Sequence, residues 1–122
     1  PIPAQNMRDL DVADLNGDGK KEIIVATSSG LVVALDCRCQ KVWAKRLLSP
    51  PTVLKCVAPP GGKTPWAVVG CEDGSVIVLG GQGQMIRQGR VTGRPTCIEA
   101  VAGSAVALGT DKGEIQAFQI KQ

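Results

Sequence analysis

One segment plan occurs three times in the chain, and each time a glycine lies at its centre. An apolar run leads into a short turn and a second apolar run follows, at residues 22–35, 66–79 and 104–118. The central glycines are 44 and 39 residues apart, at Gly30, Gly74 and Gly113. Because glycine adopts a positive φ without steric cost, these positions predict tight turns between paired strands.

The apolar runs are short and rich in Val, Ile and Ala, which favours strands over helices. A further strand is predicted before each pair, at residues 10–13, 53–57 and 96–101, and another after the first two pairs, at 41–47 and 84–91. Four antiparallel strands with a period of about 40 residues are typical of a β-propeller blade. The predicted fold is therefore all-β, a single module over residues 1–122 with about three four-stranded antiparallel blades, at 7–48, 50–91 and 92–122.

The third unit ends after its third predicted strand, and a propeller ring needs about four to eight blades. A wedge of blades leaves two sheet faces and an edge strand uncovered, which promotes association. We therefore predict that a homodimer closes a ring of about six blades, or that the module is part of a larger propeller. An irregular sandwich or barrel of the three sheets is the remaining alternative.

Composition narrows the range of functions. The 122 residues include neither histidine nor tyrosine, which removes Ser-His-Asp and Cys-His catalysis within this chain. A formal net charge of +3 is small and scattered, so nucleic acid is not an expected partner. No run approaches the roughly 18 apolar residues of a membrane helix, so no membrane contact is expected.

The five cysteines are an odd number, so at least one cannot pair within the chain. Cys37 and Cys39 form a Cys-Arg-Cys sequence without a second pair at zinc-ligand spacing, and reduced thiols are the preferred interpretation. Reduced thiols and the lack of a signal-peptide pattern favour the cytoplasm. Calcium-binding loops of this kind are common in compartments where calcium is abundant. This conflicts with the cytoplasmic location that the thiols favour, so the sequence does not assign a compartment.

An acidic segment at residues 14–22 carries the most specific chemistry in the sequence. Oxygen-bearing side chains recur at alternate positions, so a curled loop directs them at one point, with a backbone carbonyl and a final carboxylate completing the shell. The predicted ligands are Asp14, Asn16, Asp18, Lys20 through its carbonyl, and Glu22. Calcium takes about six to eight such oxygens. The alternative is a solvated turn built from the Asn-Gly and Asp-Gly dipeptides.

Residues 10–25, with this loop between two strands, resemble an FG-GAP (integrin α-type) or VCBS-like β-propeller repeat. The resemblance covers about the first blade and implies that the loop binds calcium as the cofactor, through Asp14, Asn16, Asp18, Lys20 and Glu22. The later units lack the acidic loop and are similar to generic quinoprotein-like and tryptophan–aspartate-repeat blades. The Thr-Gly of the quinoprotein repeat is absent, so a quinone cofactor is not expected.

Three smaller features have two interpretations each. Trp43 among lysines suits either nucleic-acid stacking or an outer blade strand with Trp inward and Lys outward, and the strand is preferred. Three arginines lie close together in the sequence, at Arg87, Arg90 and Arg94. They either bind a carboxylate or phosphate group together or are exposed charges that prevent another strand from adding to a sheet edge. Three carboxylates are candidate acid–base groups, at Asp9, Asp11 and Glu99, but no two of them are marked as a catalytic pair at a working separation. Asp11 is expected near the propeller axis because its strand is the innermost of its blade.

The predicted function is that of a calcium-stabilised propeller module acting as a protein–protein interaction scaffold, whose partner is another protein or a second copy. The first alternative is a lectin-like propeller that binds a glycan, for which few aromatic rings are present. The second is a propeller domain of a polysaccharide-degrading enzyme, which would need a lysine, arginine or carboxylate as its base. No catalytic residues are predicted.

Overall fold

The computed structural model describes residues 7–15, 19–57, 65–100 and 105–119, which form eleven β-strands. These are β1 (Met7–Ala13), β2 (Glu22–Thr27), β3 (Leu31–Leu35), β4 (Lys41–Arg46), β5 (Pro51–Val57), β6 (Trp66–Cys71), β7 (Ser75–Leu79), β8 (Met85–Arg90), β9 (Pro95–Ala100), β10 (Ala105–Thr110) and β11 (Ile115–Gln119). Within those ranges there is no helix long and apolar enough to span a membrane.

Strands that neighbour each other in a sheet are consecutive in sequence and antiparallel. They form a first sheet of β1–β4, a second of β5–β8 and a third of β9–β11. The innermost strands contact one another in the order β1, β5, β9, so the sheets follow each other like the blades of a propeller. The predicted all-β fold of antiparallel blade units is confirmed, and over its described residues the third sheet has three strands, as its sequence predicts.

The second sheet is buried on both faces, and its sequence reflects this. All residues of β6 and β7 are buried, which explains why both are continuous apolar runs. In β10 of the third sheet, buried and half-buried residues alternate instead, because the neighbouring second sheet covers one face. One hydrophobic cluster fills the space between the first and second sheets, and another fills the space between the second and third.

The three repeat glycines occupy the positions that the sequence predicts. Gly30, Gly74 and Gly113 have φ values of 95°, 90° and 77°. Each donates its N–H to the carbonyl three residues earlier, closing the turn between the second and third strands of its sheet. The carbonyl of Gly74 also accepts the N–H of Val91, at 2.8 Å, which attaches this turn to the residue after β8.

Replacing Gly74 with alanine should destabilise the chain much more than the same change at Gly113. A Cβ on Gly74 would lie 2.4 Å from the carbonyl oxygen of Val91, whereas one on Gly113 would meet no atom within 4 Å. Both variants adopt an unfavourable positive φ, which costs about 1 kcal/mol, and the clash adds about 2 kcal/mol for Gly74→Ala alone. Urea unfolding of the two variants measures the difference, and equal losses would contradict this account of the turn.

Candidate functional site

The two ends of the acidic loop are fixed by carboxylates. Asp14 accepts the N–H of Gly19 at its Oδ2 atom, at 2.9 Å, and Gly19 has a φ of 84° that permits the bend. Glu22, the first residue of β2, accepts the N–H of Leu15 at its Oε1 atom, at 2.8 Å. Leu15 is itself buried in the cluster between the first and second sheets. The loop is therefore anchored to the core on the side where Glu22 lies.

Three of the five predicted calcium ligands lie within the described residues. These are Asp14, Lys20 and Glu22, whereas Asn16 and Asp18 lie outside them. Over residues 7–15, 19–57, 65–100 and 105–119, no group of three or more His, Cys, Asp or Glu side chains is placed to hold a metal. Asp14 and Glu22 are oriented by backbone N–H groups and supply the hard oxygen atoms that calcium prefers, so the described part of the set is chemically compatible with calcium.

Two aspartates on β1 join the innermost strands of the first and second sheets. Asp9 accepts the N–H of Leu10 at Oδ1 (2.9 Å) and the N–H of Leu54 at Oδ2 (3.0 Å). Asp11 repeats the pattern two residues later with Val12 (2.8 Å) and Cys56 (2.8 Å). β1 and β5 are edge strands of their sheets, and each carboxylate satisfies one N–H group on each of them. We call Asp9 and Asp11 the aspartate staple.

The innermost strands also border a groove of about 300 Å³. Its lining includes the aspartate staple, Lys55 and Cys97. The sequence correctly places Asp11 on an innermost strand, but both carboxylates of the staple already hold two backbone N–H groups each. They therefore act here as structural acceptors, a role that the sequence analysis missed and that their alternate spacing on one strand could have indicated.

The cysteines divide into exposed and buried thiols. Cys37, Cys39 and Cys97 are exposed, and all five cysteines of the chain are free thiols. Burial, with a smaller contribution from nearby Asp11, raises the pKa of the Cys56 thiol to about 12. Burial likewise raises the pKa of Cys71 to about 12. Since the thiolate is the reactive form, Cys56 and Cys71 are poor nucleophiles and behave as small apolar residues.

Trp43 and Lys45 both face the second sheet from β4. The indole Nε1 of Trp43 donates to the carbonyl of Gly81, at 2.9 Å. Lys45 pairs with Val32, whose side chain belongs to the cluster between the first two sheets. The predicted alternation of Trp inward and Lys outward is therefore wrong for Lys45, because residues two apart on a strand share a face.

The predicted arginine cluster is not a single site. Arg90 donates to the carbonyl of Asp73 at 3.0 Å, and its guanidinium lies 3.8 Å from the Asp73 carboxylate. The hydroxyl and N–H of Ser75 lower the pKa of Asp73, with a smaller contribution from Arg90. Arg94 instead interacts through its backbone, since its N–H donates to Asp111 at 2.9 Å.

Comparison with protein families gives a match over residues 4–92 to the lambda-carrageenase beta-propeller domain. The chain belongs to this family. The match covers the first two sheets of the propeller domain, including the acidic loop and the aspartate staple. It supports a β-propeller repeat, whereas the FG-GAP assignment of the first blade stays a prediction. No protein with curated annotation matches the sequence.

Solved structures with the same fold are propellers much longer than this propeller domain. A crystal structure of BBS1N in complex with ARL6DN, soaked with lead, matches with a TM-score of 0.83 and 13% identity, covering 98% of this chain and 36% of that one. BamB from Moraxella catarrhalis matches with a TM-score of 0.63 and 21% identity, covering 89% of this chain and 30% of that one. The propeller domain thus spans about a third of each structure, and at these identities the likeness shows the fold alone.

Removing the acceptor of the aspartate staple should destabilise the propeller domain. Asp11→Ala leaves the N–H groups of Val12 and Cys56 without their acceptor and should lower the free energy of unfolding by about 2 kcal/mol. Asp11→Asn keeps one of the two acceptor oxygens but turns its NH2 group toward the other N–H, so it should also destabilise the domain, by about 1 kcal/mol or more. Chemical unfolding of both variants tests the staple, and an unchanged free energy of unfolding for Asp11→Ala would contradict it.

Proposed function

We propose that this chain is a calcium-stabilised β-propeller module that acts as a protein–protein interaction scaffold. The observation that carries the proposal is that, among the described residues, no further sheet packs on the outer face of the first sheet or of the third sheet. The family match and the neighbouring folds support a β-propeller domain. BBS1N, which shares the fold, is itself in complex with ARL6DN, which supports a protein as the partner class.

The uncovered face of the first sheet carries large aliphatic side chains. Leu10 and Val25 are paired on this face, as are Val12 and Ile23. Val25 is buried and Ile23 half-buried, so Leu10 and Val12 of β1 provide the exposed aliphatic surface. Leu10 and Val12 are 49% and 44% exposed. Isolated exposed aliphatics are ordinary, but a contiguous apolar sheet face is a docking surface.

The outer face of the third sheet carries small residues together with one large aliphatic side chain. Ala107 pairs with Ala117, and Gly109 pairs with Ile115, which is 81% exposed. Between blades inside the chain, a sheet face of this kind packs against the next sheet. Exposed aliphatic side chains on both outer faces support closure of a ring by a second copy, which would bury them.

Ring closure by a second copy predicts a molar mass in solution of twice 12.7 kDa by light scattering. Val12→Asp places a charge on the uncovered face of the first sheet and should yield the monomer with the fold retained. Leu48→Asp is the matched control, since Leu48 is fully exposed on the link between β4 and β5 and should leave the mass unchanged. A monomeric wild-type chain would reject the second copy as the partner.

Calcium is proposed for the acidic loop because of the donor set and the burial of one carboxylate. Glu22 is 4% exposed, and a buried carboxylate is costly unless hydrogen bonds and a cation offset its lost hydration. Leu15 provides one hydrogen bond, and Asp14 brings a second carboxylate to the same loop. Bound calcium would supply the positive charge and connect the loop to the start of β2.

Calcium binding predicts a melting temperature that depends on the ion. Calcium at a hundred times its Kd adds about 2.7 kcal/mol, which raises the Tm by about 10 °C for a chain of this size. Asp18→Ala should abolish the response to calcium and to chelator, whereas Glu114→Ala, an exposed carboxylate outside the loop, should retain it. An identical Tm of the wild type in saturating calcium and in excess chelator would reject the calcium proposal.

A second candidate function is favoured by the family match, namely a propeller domain of a polysaccharide-degrading enzyme. Measuring reducing ends released from acidic polysaccharides distinguishes this candidate from the scaffold. If the wild-type chain releases reducing ends, the enzyme is supported. If it releases none and binds a partner protein, the scaffold is supported.

A further inference from the structure

A groove of about 200 Å³ separates the outer strands of the first two sheets, β4 and β8. We call it the wedge groove, and its lining includes Lys45, Arg46, Leu48, Ile77, Gln88 and Arg90. The sheets pack closely near the innermost strands, as the aspartate staple shows, and the groove opens where their outer strands diverge. Its base includes Ile77 of the core cluster between these sheets.

Cationic side chains enter the wedge groove from both walls. Lys45 is half-buried and lies on the face of β4 that is turned toward the second sheet, as its pairing with Val32 shows. Arg90 pairs with Ser75, which shares a face of β7 with Ile77 and is therefore turned toward the first sheet. Lys45 and Arg90 thus approach the groove from opposite sides.

Trp43 closes the space between the outer strands on one side of the wedge groove. Its indole donates to the carbonyl of Gly81, and a Cβ on Gly83 would lie 2.9 Å from the ring. The turn before β8 therefore accepts the ring only because residue 83 is glycine. Beyond Trp43 along β4, at Lys45 and Arg46, the groove is open.

Positive charge in the wedge groove exceeds negative charge. Its single acid, Asp73, is the ion-pair partner of Arg90 and also accepts the N–H of Ser75. Within the part of the chain that the structure describes, Lys45 and Arg46 have no acidic partner. Lys45 therefore remains uncompensated beside an apolar base, where water screens it less than on an open surface. Arg46, the next residue on β4, belongs to the opposite face, is exposed, and adds its charge only at the rim of the groove.

We propose that the wedge groove binds an extended acidic segment of a partner protein. The proposal rests on the scaffold function and gives it a site. Lys45 inside the groove and Arg46 at its rim indicate anionic groups in the ligand. Ile77 on the base and Leu48, which is fully exposed at the rim, indicate aliphatic groups. In an extended peptide, alternate side chains lie on the same side, about 6.6 Å apart. If acidic and aliphatic residues alternate, the acidic side chains lie on one side and face the cations, and the aliphatic side chains lie on the other side and face the apolar groups.

A protein segment fits the wedge groove better than a polysaccharide. Sugar rings are usually held by stacking on an aromatic face, and the residues that line the groove include no aromatic side chain. The nearest ring, Trp43, is occupied by its contacts with Gly81 and Gly83. The exposed aliphatic groups at the rim instead match the apolar side chains of a peptide.

Fluorescence anisotropy with the full chain tests the proposal. The probe is a labelled peptide in which Glu and Leu alternate, and the matched peptide has Gln in place of Glu. The double variant Lys45→Gln, Arg46→Gln should weaken binding of the Glu peptide about tenfold at low salt. The control Lys41→Gln, Arg87→Gln removes the same charge from exposed positions outside the groove and should change the affinity less than twofold.

Several results would overturn the acidic-segment proposal. Equal weakening by both double variants would show general attraction to a basic chain, and equal binding of the Gln peptide would remove the acidic requirement. Failure of the Glu peptide where polygalacturonate binds in a Lys45-dependent manner would assign the groove to a polysaccharide. Circular dichroism of each variant excludes unfolding as the cause. A monomeric wild type that binds the Glu peptide through Lys45 would reject closure by a second copy while supporting the groove.

Discussion

The free N–H groups on the edges of the innermost strands are the constraint on which the arrangement of the first two blades depends. β1 and β5 are both edge strands, so alternate N–H groups on each have no partner within their own sheet. The aspartate staple satisfies Leu10, Val12, Leu54 and Cys56 together, with donor–acceptor distances of 2.8 to 3.0 Å. Each carboxylate accepts one N–H from β1 and one from β5. It therefore satisfies donors on both edge strands and also fixes the distance between the two strands.

The seam between the second and third sheets is held differently. There the hydroxyl of Thr52 on β5 contacts the carbonyl of Pro95 at 2.6 Å, and a Cβ on Gly70 would lie 2.7 Å from the Pro95 side chain. This seam depends on a hydrogen bond from a neutral hydroxyl and on the close approach of Gly70 to Pro95, whereas the first depends on charge-assisted hydrogen bonds. Divergence of the outer strands follows from tight inner packing, and it leaves the wedge groove between β4 and β8.

Local patterns in the sequence were sufficient to predict the strands and their turns. The repeat glycines and the apolar runs encode the hairpins, because periodicity and positive φ are properties of neighbouring residues. β5 begins at Pro51, two residues earlier than the sequence predicts. Proline disfavours a strand in general because it lacks an N–H, but it is tolerated at a strand's first residue. The aspartate staple and the inward Lys45 were missed because they depend on which sheets become neighbours, and local spacing alone does not specify that.

The aspartate staple makes no demand on the side chains of the strand that receives it. Leu54 and Cys56 contribute only main-chain N–H groups, which every residue except proline offers at the same place. A residue at either position can therefore change without losing this hydrogen bond, provided that it still fits the core cluster to which Leu54 belongs. At this joint the side-chain acceptors of the backbone N–H groups therefore all belong to the first blade, whereas the apolar packing beneath them comes from both blades.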